Sequence, residues 1–469
     1  MARPAALLVG LLVAATGAAS FVAWNEHQQL AVEAPVVHKA ALLASENDGL
    51  HAALEAADRR VSDEQNVVRR GRIEGDVAAI RQLSFKRPVV YESLDRAGIR
   101  QVVAGKLSEQ YSDQEIQNIS TGYSAFGLLP PDFPLKQTYI NLLGEQIAAF
   151  YDQHQHKLFM FQDANLENAQ NRVILAHELT HALQDQNFGL LNLALEIKDN
   201  DDRAAAASAL IEGDATLVMS QYMVKDLTWR TLTDTVSFSA TQSMEEIRKA
   251  PHYLREMLVF PYIKGQQFCG AVFERGGFAA LSAVYANPPV STAQILHPEK
   301  YFAETREDPI AVKFGDTTFR GSKPVVDNVL GEIGTRILFA QASDADFAEE
   351  TAAGWRGDRY LAFDGGKELV WRTVWRSPEA AMAAVNAFRR AFQQRFEGPQ
   401  PTGVRPVEET DLWAGTVGGS TVPIGRLAAP GGHFLSVMRI GPNEVVFIVA
   451  TNQELSELLE KQFAGASHG

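Results

Sequence analysis

The sequence predicts an α+β protein that is mostly helical and ends in a smaller domain of strands and helices. The helical part follows from four long segments of helix-forming residues. These segments cover residues 171–186, 203–216, 241–258 and 265–286. We expect Phe260-Pro261-Tyr262 to separate the last two segments, because a proline removes a helix hydrogen bond. Gly276-Gly277 is expected to break the last segment.

The strands near the end of the chain come in pairs, and each pair is followed by a helix. The predicted hairpins are formed by residues 359–363 with 369–375 and by residues 433–440 with 444–450. Ser377 and Pro378 begin the first helix, and Thr451 with Glu454 forms a capping box for the second. The Gly-, Pro- and Thr-rich stretch between the two units is predicted to be a loop. This ββα order, repeated twice, indicates a small α+β domain over residues 346–469.

Two shorter elements precede the long helices. Ser112 and Glu115 form a capping box for a helix that ends near residue 126. Residues 148–152 and 157–161 flank a short polar turn, which predicts a hairpin. The turn contains His154 and His156. We interpret both histidines as solvent-facing, because two histidines in a hairpin turn seldom hold a metal.

The helix at 171–186 contains His177-Glu178-Leu179-Thr180-His181, an HExxH motif. Residues at i and i+4 share one face of a helix, so both imidazoles can reach one cation. Glu178 is turned by about 100° from His177, which places its carboxylate beside the cation without making it a ligand. A zinc hydrolase needs this layout, in which imidazoles hold Zn²⁺ and a nearby base takes a proton from a water.

An exposed helical face without a metal is the alternative interpretation of the motif. The apolar neighbours Leu175, Leu179 and Leu183 instead predict a buried helix. Histidines and carboxylates in a buried helix, including Asp185, are costly unless something pairs them. The motif therefore favours a metal site.

Glu212 is the predicted third metal ligand, since a catalytic zinc keeps three protein ligands and one open position. It lies in a helix that begins at Asp201-Asp202 and has a face of small residues. Gly213 in mid-helix costs about 1 kcal/mol relative to alanine, which a close backbone approach to the HExxH helix would explain. Asp214 is an alternative, either as the ligand itself or as a group that orients a ligating histidine.

The segment from His177 to Asp185 is very similar to the zinc helix of thermolysin-type proteases, and a following helix with a glutamate ligand is the gluzincin arrangement. The chain departs from thermolysin at Thr216, where those enzymes have an aspartate. More widely, the chain resembles a group of bacterial envelope proteins regarded as metallopeptidases. That resemblance rests on the zinc helix and on residues 145–152, 212–215, 260–265, 291–301 and 354–359.

The resemblance implies a zincin-like metallopeptidase domain over residues 85–345, one catalytic Zn²⁺ and a peptide or protein substrate. It also implies that the strand before the HExxH helix binds the substrate backbone by strand addition. Peptide hydrolysis develops an oxyanion, and a donor near it contributes about 3 kcal/mol. We take His297 as that catalytic donor and weigh Tyr301 as a second candidate; the alternative is that both are structural, with His297 capping a helix that ends before Pro298.

Composition limits the partners. The 469 residues are enough for two or three domains, and 46% hydrophobic with 21% charged residues is typical of a globular protein. A net charge of -14 argues against a nucleic-acid partner. Cys269 is the only cysteine, so no internal disulfide can form and a buried thiol is expected.

The N-terminus predicts export. Residues 1–24 contain Arg3, an apolar run and then small residues up to Ala19, as in a secretory signal peptide. The same stretch is long enough to remain as a membrane anchor, so cleavage and anchoring both stay open. Residues 25–84 form a predicted helical lead segment with partial heptads, such as Leu54, Val61 and Val68. A stalk and a helix packed on the main domain both fit this pattern.

These observations predict an exported zinc-dependent peptidase in the periplasm, cell envelope or medium. Zn²⁺ is held by His177, His181 and Glu212, and Glu178 is the general base. The alternative is a catalytically silent zincin-fold protein with a binding or chaperone-like role, which the presence of Glu178 disfavours. A structural zinc protein is a third reading, but such sites are usually closed and rich in cysteine.

Overall fold

The computed structural model describes residues 64–146, 149–162, 164–226, 249–398, 413–417 and 420–463. The predicted signal peptide or anchor at 1–24 and most of the lead segment lie outside these residues. The α+β class is confirmed, because helices dominate the chain up to Phe302 and the larger of two sheets begins at Val326. Within the described part of the chain, no helix combines the length and the apolar character that a membrane span requires.

Four helices open the described chain. They are residues 64–81 (α1), Arg96–Gln110 (α2), Asp113–Phe126 (α3) and Leu135–Gln146 (α4). Helix α1 packs on the main domain through the buried Ile73 and Val77, whereas Val68 is 74% exposed and forms no seam there. Helix α3 has the predicted capping box, in which the Ser112 and Glu115 side chains each accept from the other residue's backbone N–H.

A three-stranded sheet lies just before the HExxH helix. Its strands are Val90–Leu94 (β1), Ala149–Asp152 (β2) and Lys157–Phe161 (β3). The central β3 pairs parallel with β1 and antiparallel with β2, so the predicted hairpin is confirmed. Strand β2 is an edge of this sheet. Strand β3 lies between β2 and the HExxH helix in the sequence, and that helix packs against β2.

Three long helices form the centre of the molecule. They are Ala169–Phe188 (α5), Asp201–Asp226 (α6) and His252–Val284 (α7). Helix α5 is followed by Gly189, which caps it in a left-handed conformation with φ +69°. The predicted separation at residues 260–262 is wrong, because α7 continues through Pro261. Burial of Pro261 and both its neighbours offsets the roughly 3 kcal/mol that a proline costs inside a helix. The predicted break at Gly276-Gly277 is confirmed as a kink.

Gly213 makes a close helix contact, but its partner is α7 and not the HExxH helix that the sequence analysis expected. A Cβ on Gly213 would lie 2.2 Å from the backbone carbonyl carbon of Gly265. A Cβ on Gly265 would lie 2.1 Å from the carbonyl oxygen of Ala209. The two glycines therefore let α6 and α7 cross in backbone contact.

Short helices lead from the long helices to the second sheet. They are Thr292–Leu296 (α8), Pro298–Phe302 (α9), Gly331–Ala340 (α10) and Ala345–Ala352 (α11). His297 separates α8 from α9 with φ -128° and ψ 81°, as the following proline predicts. One continuous hydrophobic core extends from Ile73 to Val449 and joins the helical part to the sheet.

The second sheet has seven antiparallel strands. They are Val326–Asn328 (β4), Trp355–Phe363 (β5), Glu368–Trp375 (β6), Trp413–Val417 (β7), Ser420–Ala428 (β8), Phe434–Gly441 (β9) and Glu444–Ala450 (β10), in the order β4-β5-β6-β10-β9-β8-β7. Both predicted hairpins are present, and β6 pairs with β10 to merge them. The predicted loop between them is wrong in part, because it contains the β7–β8 hairpin.

Two helices accompany this sheet. They are Pro378–Glu397 (α12) and Gln453–Phe463 (α13). Ser377 caps α12 as expected, accepting from the backbone N–H of Ala380. The predicted Thr451 cap of α13 is wrong. Asn452 accepts from the backbone N–H of Leu455 instead, because the Thr451 hydroxyl is bonded to Glu368 on β6.

Candidate metal centre

His177, His181 and Glu212 converge at the interface of α5 and α6, as the sequence analysis expected. The Nε2 atom of His177 lies 3.1 Å from Glu212 Oε2 and 3.1 Å from His181 Nε2. The remaining side of the triangle, from His181 Nε2 to Glu212 Oε2, is 3.4 Å. All three side chains are buried, so their polar atoms face one another rather than water.

The spacing of these three atoms suits a tetrahedral zinc. Ligand atoms bonded at about 2.0–2.2 Å to one tetrahedral ion lie about 3.3–3.6 Å apart. Two imidazoles and one carboxylate are a ligand set of catalytic zinc sites, which keep the fourth position open. The residues therefore fit a single zinc ion.

Charge also favours a cation at this point. Burial alone would raise the pKa of Glu212, but His181 and His177 outweigh it and lower that pKa to about 2. Burial alone would lower the pKa of His181, but attraction to Glu212 and a hydrogen bond with it raise that pKa to about 9. The cluster thus holds a proton in a place that a metal cation would take on binding.

Glu178 lies beside the cluster but faces the small sheet. Its Oε2 atom accepts a hydrogen bond of 2.8 Å from the backbone N–H of Tyr151 on β2. Burial raises the pKa of Glu178, and the opposing attraction of His181 and His177 does not cancel that effect. The residue after the first histidine is therefore a carboxylate held against an edge strand, outside the group of three converging atoms.

Gln184, one turn after His181 on α5, bonds to the ring nitrogen of His181 that faces away from the cluster. Its Oε1 atom accepts from His181 Nδ1 at 2.9 Å. An amide oxygen can only accept, so His181 Nδ1 carries a proton. Nε2 is then the ring atom that can offer a lone pair to a cation once the cation displaces the proton of the cluster. His177 differs, because its Nδ1 is buried and has no hydrogen-bond partner among the described residues. Instead its ring lies 6.1 Å from the ring of Tyr262.

Asp214 does not join the three ligands. It is fully buried and bonded to Arg81, Tyr285 and Gln184. The alternative in which Asp214 is itself the ligand therefore has no support in the geometry. The alternative in which it orients a histidine is supported in an indirect form, because Gln184 stands between Asp214 and His181.

Asp185 organises the edge-strand hairpin and also lies outside the three ligands. It accepts from the Tyr151 hydroxyl at 2.7 Å and from Arg87 at 3.2 Å, and its Oδ2 lies 2.7 Å from His156 Nδ1. His154 Nε2 lies 2.7 Å from Glu196 Oε1. Both histidine side chains are about half exposed, at 49% and 47%, yet each is paired with a carboxylate.

His297 and Tyr301 have other partners. His297 Nε2 lies 2.5 Å from the buried Glu332, which also binds Lys300 at 3.0 Å. The Tyr301 hydroxyl donates to the carbonyl oxygen of Asn287. In the described part of the chain, the one group of three side chains that could hold a metal ion excludes His297. The contacts of His297 match the alternative in which this residue is structural and ends helix α8.

Three residues of the centre received no role from the sequence. Gln184 follows His181 by three positions on the same helix face, a spacing that could have indicated its contact. Tyr262 lies three positions before Gly265, so the two residues share a face of α7, and Gly265 lies where α6 crosses that helix. Arg81 is 133 positions from Asp214, and no pattern within the sequence announces that pair.

Comparison with known proteins adds one finding. Residues 318–424 match a family model described as a domain of unknown function (DUF8575). The match starts shortly before β4 and ends within β8, so it contains none of the residues of the candidate metal centre. No curated protein and no solved structure matches the chain.

Proposed function

We propose that this chain is an exported zinc-dependent peptidase with a zincin-like domain of the gluzincin type. One observation carries the proposal: two imidazoles and a carboxylate converge at 3.1–3.4 Å while a further buried carboxylate stands beside them. A structural zinc site has no use for that additional carboxylate. The described residues include a single cysteine, Cys269, whereas structural zinc sites are usually rich in cysteine.

His177, His181 and Glu212 would hold the ion. A zinc ion bound there would lower the pKa of a water to about 7 and so supply a nucleophile at neutral pH. Glu178 would be the general base that accepts the proton of that water and later delivers it to the departing amine. Its Oε2 atom is engaged by Tyr151, which leaves Oε1 as the atom that exchanges the proton. Its raised pKa brings Glu178 closer to the neutral range in which a base can both accept and release a proton.

The edge strand suggests the class of substrate. Strand β2 pairs with β3 on one side and borders α5, and Tyr151 of β2 contacts Glu178 directly. A peptide that adds to such an edge in extended form would bring its backbone carbonyl groups to the general base. We therefore propose a peptide or protein as the substrate, in the orientation that the family resemblance implies.

The first prediction concerns Glu178→Gln. The substitution keeps the size and polarity of the side chain and removes the base. We expect zinc content and thermal stability close to those of the wild type, and turnover on a peptide library lower by about 10²- to 10⁴-fold. His177→Ala is the matched control on the neighbouring position, and it should lose zinc and activity together.

Two outcomes would contradict this assignment. Near-normal activity of Glu178→Gln on a substrate that the wild type cleaves in a chelator-sensitive way would remove Glu178 as the base. A fully zinc-loaded wild type that cleaves nothing across a broad library would favour the silent binding or chaperone-like protein instead.

A second prediction concerns export, which rests on the apolar residues 1–24. A fusion of residues 1–30 to a reporter that is active only outside the cytoplasm should be active. The same fusion with two aspartates in the apolar run is the control and should be silent. A mature protein that starts near Ser20 would indicate cleavage, and one that keeps Met1 or Ala2 would indicate an anchor. An inactive wild-type fusion would contradict export.

A further inference from the structure

We propose that Arg81, on the lead helix α1, is a positioning residue for the metal ligand His181. The connection passes through Asp214 and Gln184, so the helix that precedes the metallopeptidase domain would complete its metal centre. This inference rests on the proposed metal site and adds to it a residue from outside the two ligand helices.

Two hydrogen bonds fix the orientation of the Gln184 amide group. Its Nε2 group donates to the carbonyl oxygen of Ile211 at 2.9 Å and to Asp214 Oδ2 at 3.2 Å. Both amide protons therefore have acceptors, and a flipped amide would place its oxygen against two oxygens. The Gln184 oxygen is thereby held toward His181 Nδ1, at 2.9 Å. This bond keeps the Nε2 atom of His181 directed at the point where Glu212 and His177 converge.

Asp214 is in turn held from two other elements. Tyr285, after the end of α7, donates its hydroxyl proton to Asp214 Oδ2 at 2.8 Å. Arg81 forms an ion pair of 2.8 Å with Asp214 Oδ1, and both side chains have 0% exposure. Removing one partner of a buried ion pair is strongly unfavourable, so Arg81 holds the Asp214 carboxyl group in place.

Arg81 is anchored by more than this ion pair. One guanidinium nitrogen donates to Ser282 Oγ at 3.0 Å, and the guanidinium group lies over the rings of Phe188 and Phe278 at 5.7 and 5.0 Å. The planar group is thus clamped between the end of α5 and the last turns of α7. Such a rigid support at the far end of the connection is what positioning a ligand requires.

Gln184→Met is the sharpest test, because it removes the amide while keeping the volume and leaves no buried charge unpaired. In the full-length protein, we expect the dissociation constant for Zn²⁺, measured by competition with a chromophoric chelator, to rise about 10- to 100-fold. The absorption spectrum of the Co²⁺-loaded variant should also change, because His181 then lacks its fixed orientation. A variant that only lost folding stability would leave the spectrum of its bound Co²⁺ unchanged.

Gln186→Met is the matched control. Gln186 is also a buried glutamine of α5, but it accepts from the backbone N–H groups of Lys86 and Arg87, away from the ligands. Its variant should bind zinc within about twofold of the wild type and keep the cobalt spectrum. Equal weakening by both variants, or none by Gln184→Met, would overturn the inference.

Arg81 variants test the other end of the connection and do not depend on Gln184→Met folding. Arg81→Met should weaken zinc binding and change the cobalt spectrum, and Arg81→Lys, which restores the positive charge beside Asp214, should recover most of both. Arg81→Met with wild-type zinc affinity would overturn the role of Arg81. Because these readouts need no substrate, a wild type that binds zinc but cleaves nothing defeats the peptidase proposal alone, whereas a wild type that binds neither zinc nor cobalt defeats both.

Discussion

Adjacent residues of the HExxH helix have different surroundings, which fits the different roles proposed for them, metal ligand for His177 and general base for Glu178. His177 points across to Glu212 on α6, whereas Glu178 meets the backbone of Tyr151 on β2. A rotation of about 100° per residue is enough to direct neighbouring side chains at two different elements. The proposed division into metal ligand and general base therefore follows from the helical rotation, once α6 and β2 are packed on two sides of α5.

Asp202 is another buried carboxyl group, and it lies outside the cluster of His177, His181 and Glu212. Its Oδ1 accepts from the backbone N–H of Thr292 at 3.0 Å and also from the Thr292 hydroxyl. Burial raises the pKa of Asp202 to about 7, and repulsion by Asp358 and Glu332 adds to that effect. The folded protein therefore binds a proton here at pH values where the unfolded chain, with a pKa of about 3.9, has lost it.

The third prediction follows from that shift. A pKa raised by folding contributes stability that is complete below about pH 4 and is lost as the pH rises through about 7. Asp202→Asn keeps an acceptor for Thr292 and removes the ionisation. Relative to the wild type, its free energy of unfolding should therefore rise between about pH 4 and pH 7, by about 1.4 kcal/mol for each pH unit, and the difference should stay constant at higher pH. The exposed Asp346→Asn is the control; a wild-type pH profile for both variants would contradict this account.

At the scale of the element, α7 shows how packing overrides local preference. Pro261 interrupts the hydrogen bonds of a helix, yet α7 runs from His252 to Val284 because its apolar face is buried on both sides of that proline. The same helix carries Gly265, which allows α6 to approach, and Tyr262, which lies beside His177. The crossing of α6 and α7 therefore places an aromatic residue at the metal centre.

The fourth prediction uses two glycines of this helix. In Gly265→Ala the new methyl group would meet the Ala209 carbonyl oxygen at 2.1 Å, so α6 and α7 must separate. We expect a loss of about 1–3 kcal/mol in the free energy of unfolding. In Gly270→Ala the methyl group meets nothing within 4 Å, and the better helix former should stabilise the protein by about 0.5–1 kcal/mol. Thermal or urea unfolding measures both, and equal effects of the two would contradict the close crossing.

At the scale of the whole molecule, the candidate metal centre lies where separate parts of the chain meet. Helix α5 supplies His177 and His181, α6 supplies Glu212, and β2 holds Glu178. A ligand that binds only the folded state stabilises it by RT ln(1 + [L]/Kd), about 2.7 kcal/mol when its concentration is 100 times Kd. A zinc ion bound here should therefore oppose global unfolding.

The fifth prediction is a metal-dependent Tm. Excess Zn²⁺ should raise the Tm of the wild type, and a chelator should reverse that rise. Glu178→Gln should respond as the wild type does, because its three ligands are intact. His177→Ala should respond little to either addition. An identical Tm with zinc and with chelator in the wild type would contradict a metal site at this position.

The sequence by itself predicted the features that depend on neighbours along the chain. The spacing of His177 and His181 brings them together on any helix, and the capping box at Ser112 is satisfied within its own first turn. The sequence also predicted that Glu212 joins the two histidines, from the need of a catalytic zinc for a third ligand and from the small-residue face of the next helix, and the three side chains do converge. The α+β class followed in the same way, from hairpins and helices that are recognisable one at a time.

Only the tertiary structure decided which side chains meet across the fold. Gly213 packs against α7, and His297 pairs with Glu332. Asn452 caps the last helix in place of Thr451, because the Thr451 hydroxyl bonds to Glu368 on β6. The tertiary structure also joins Arg81 to Asp214 across 133 positions. Contacts of this kind depend on burial and on the paths of several elements at once, and the periodicity of a single segment carries no information about the partner that will face it.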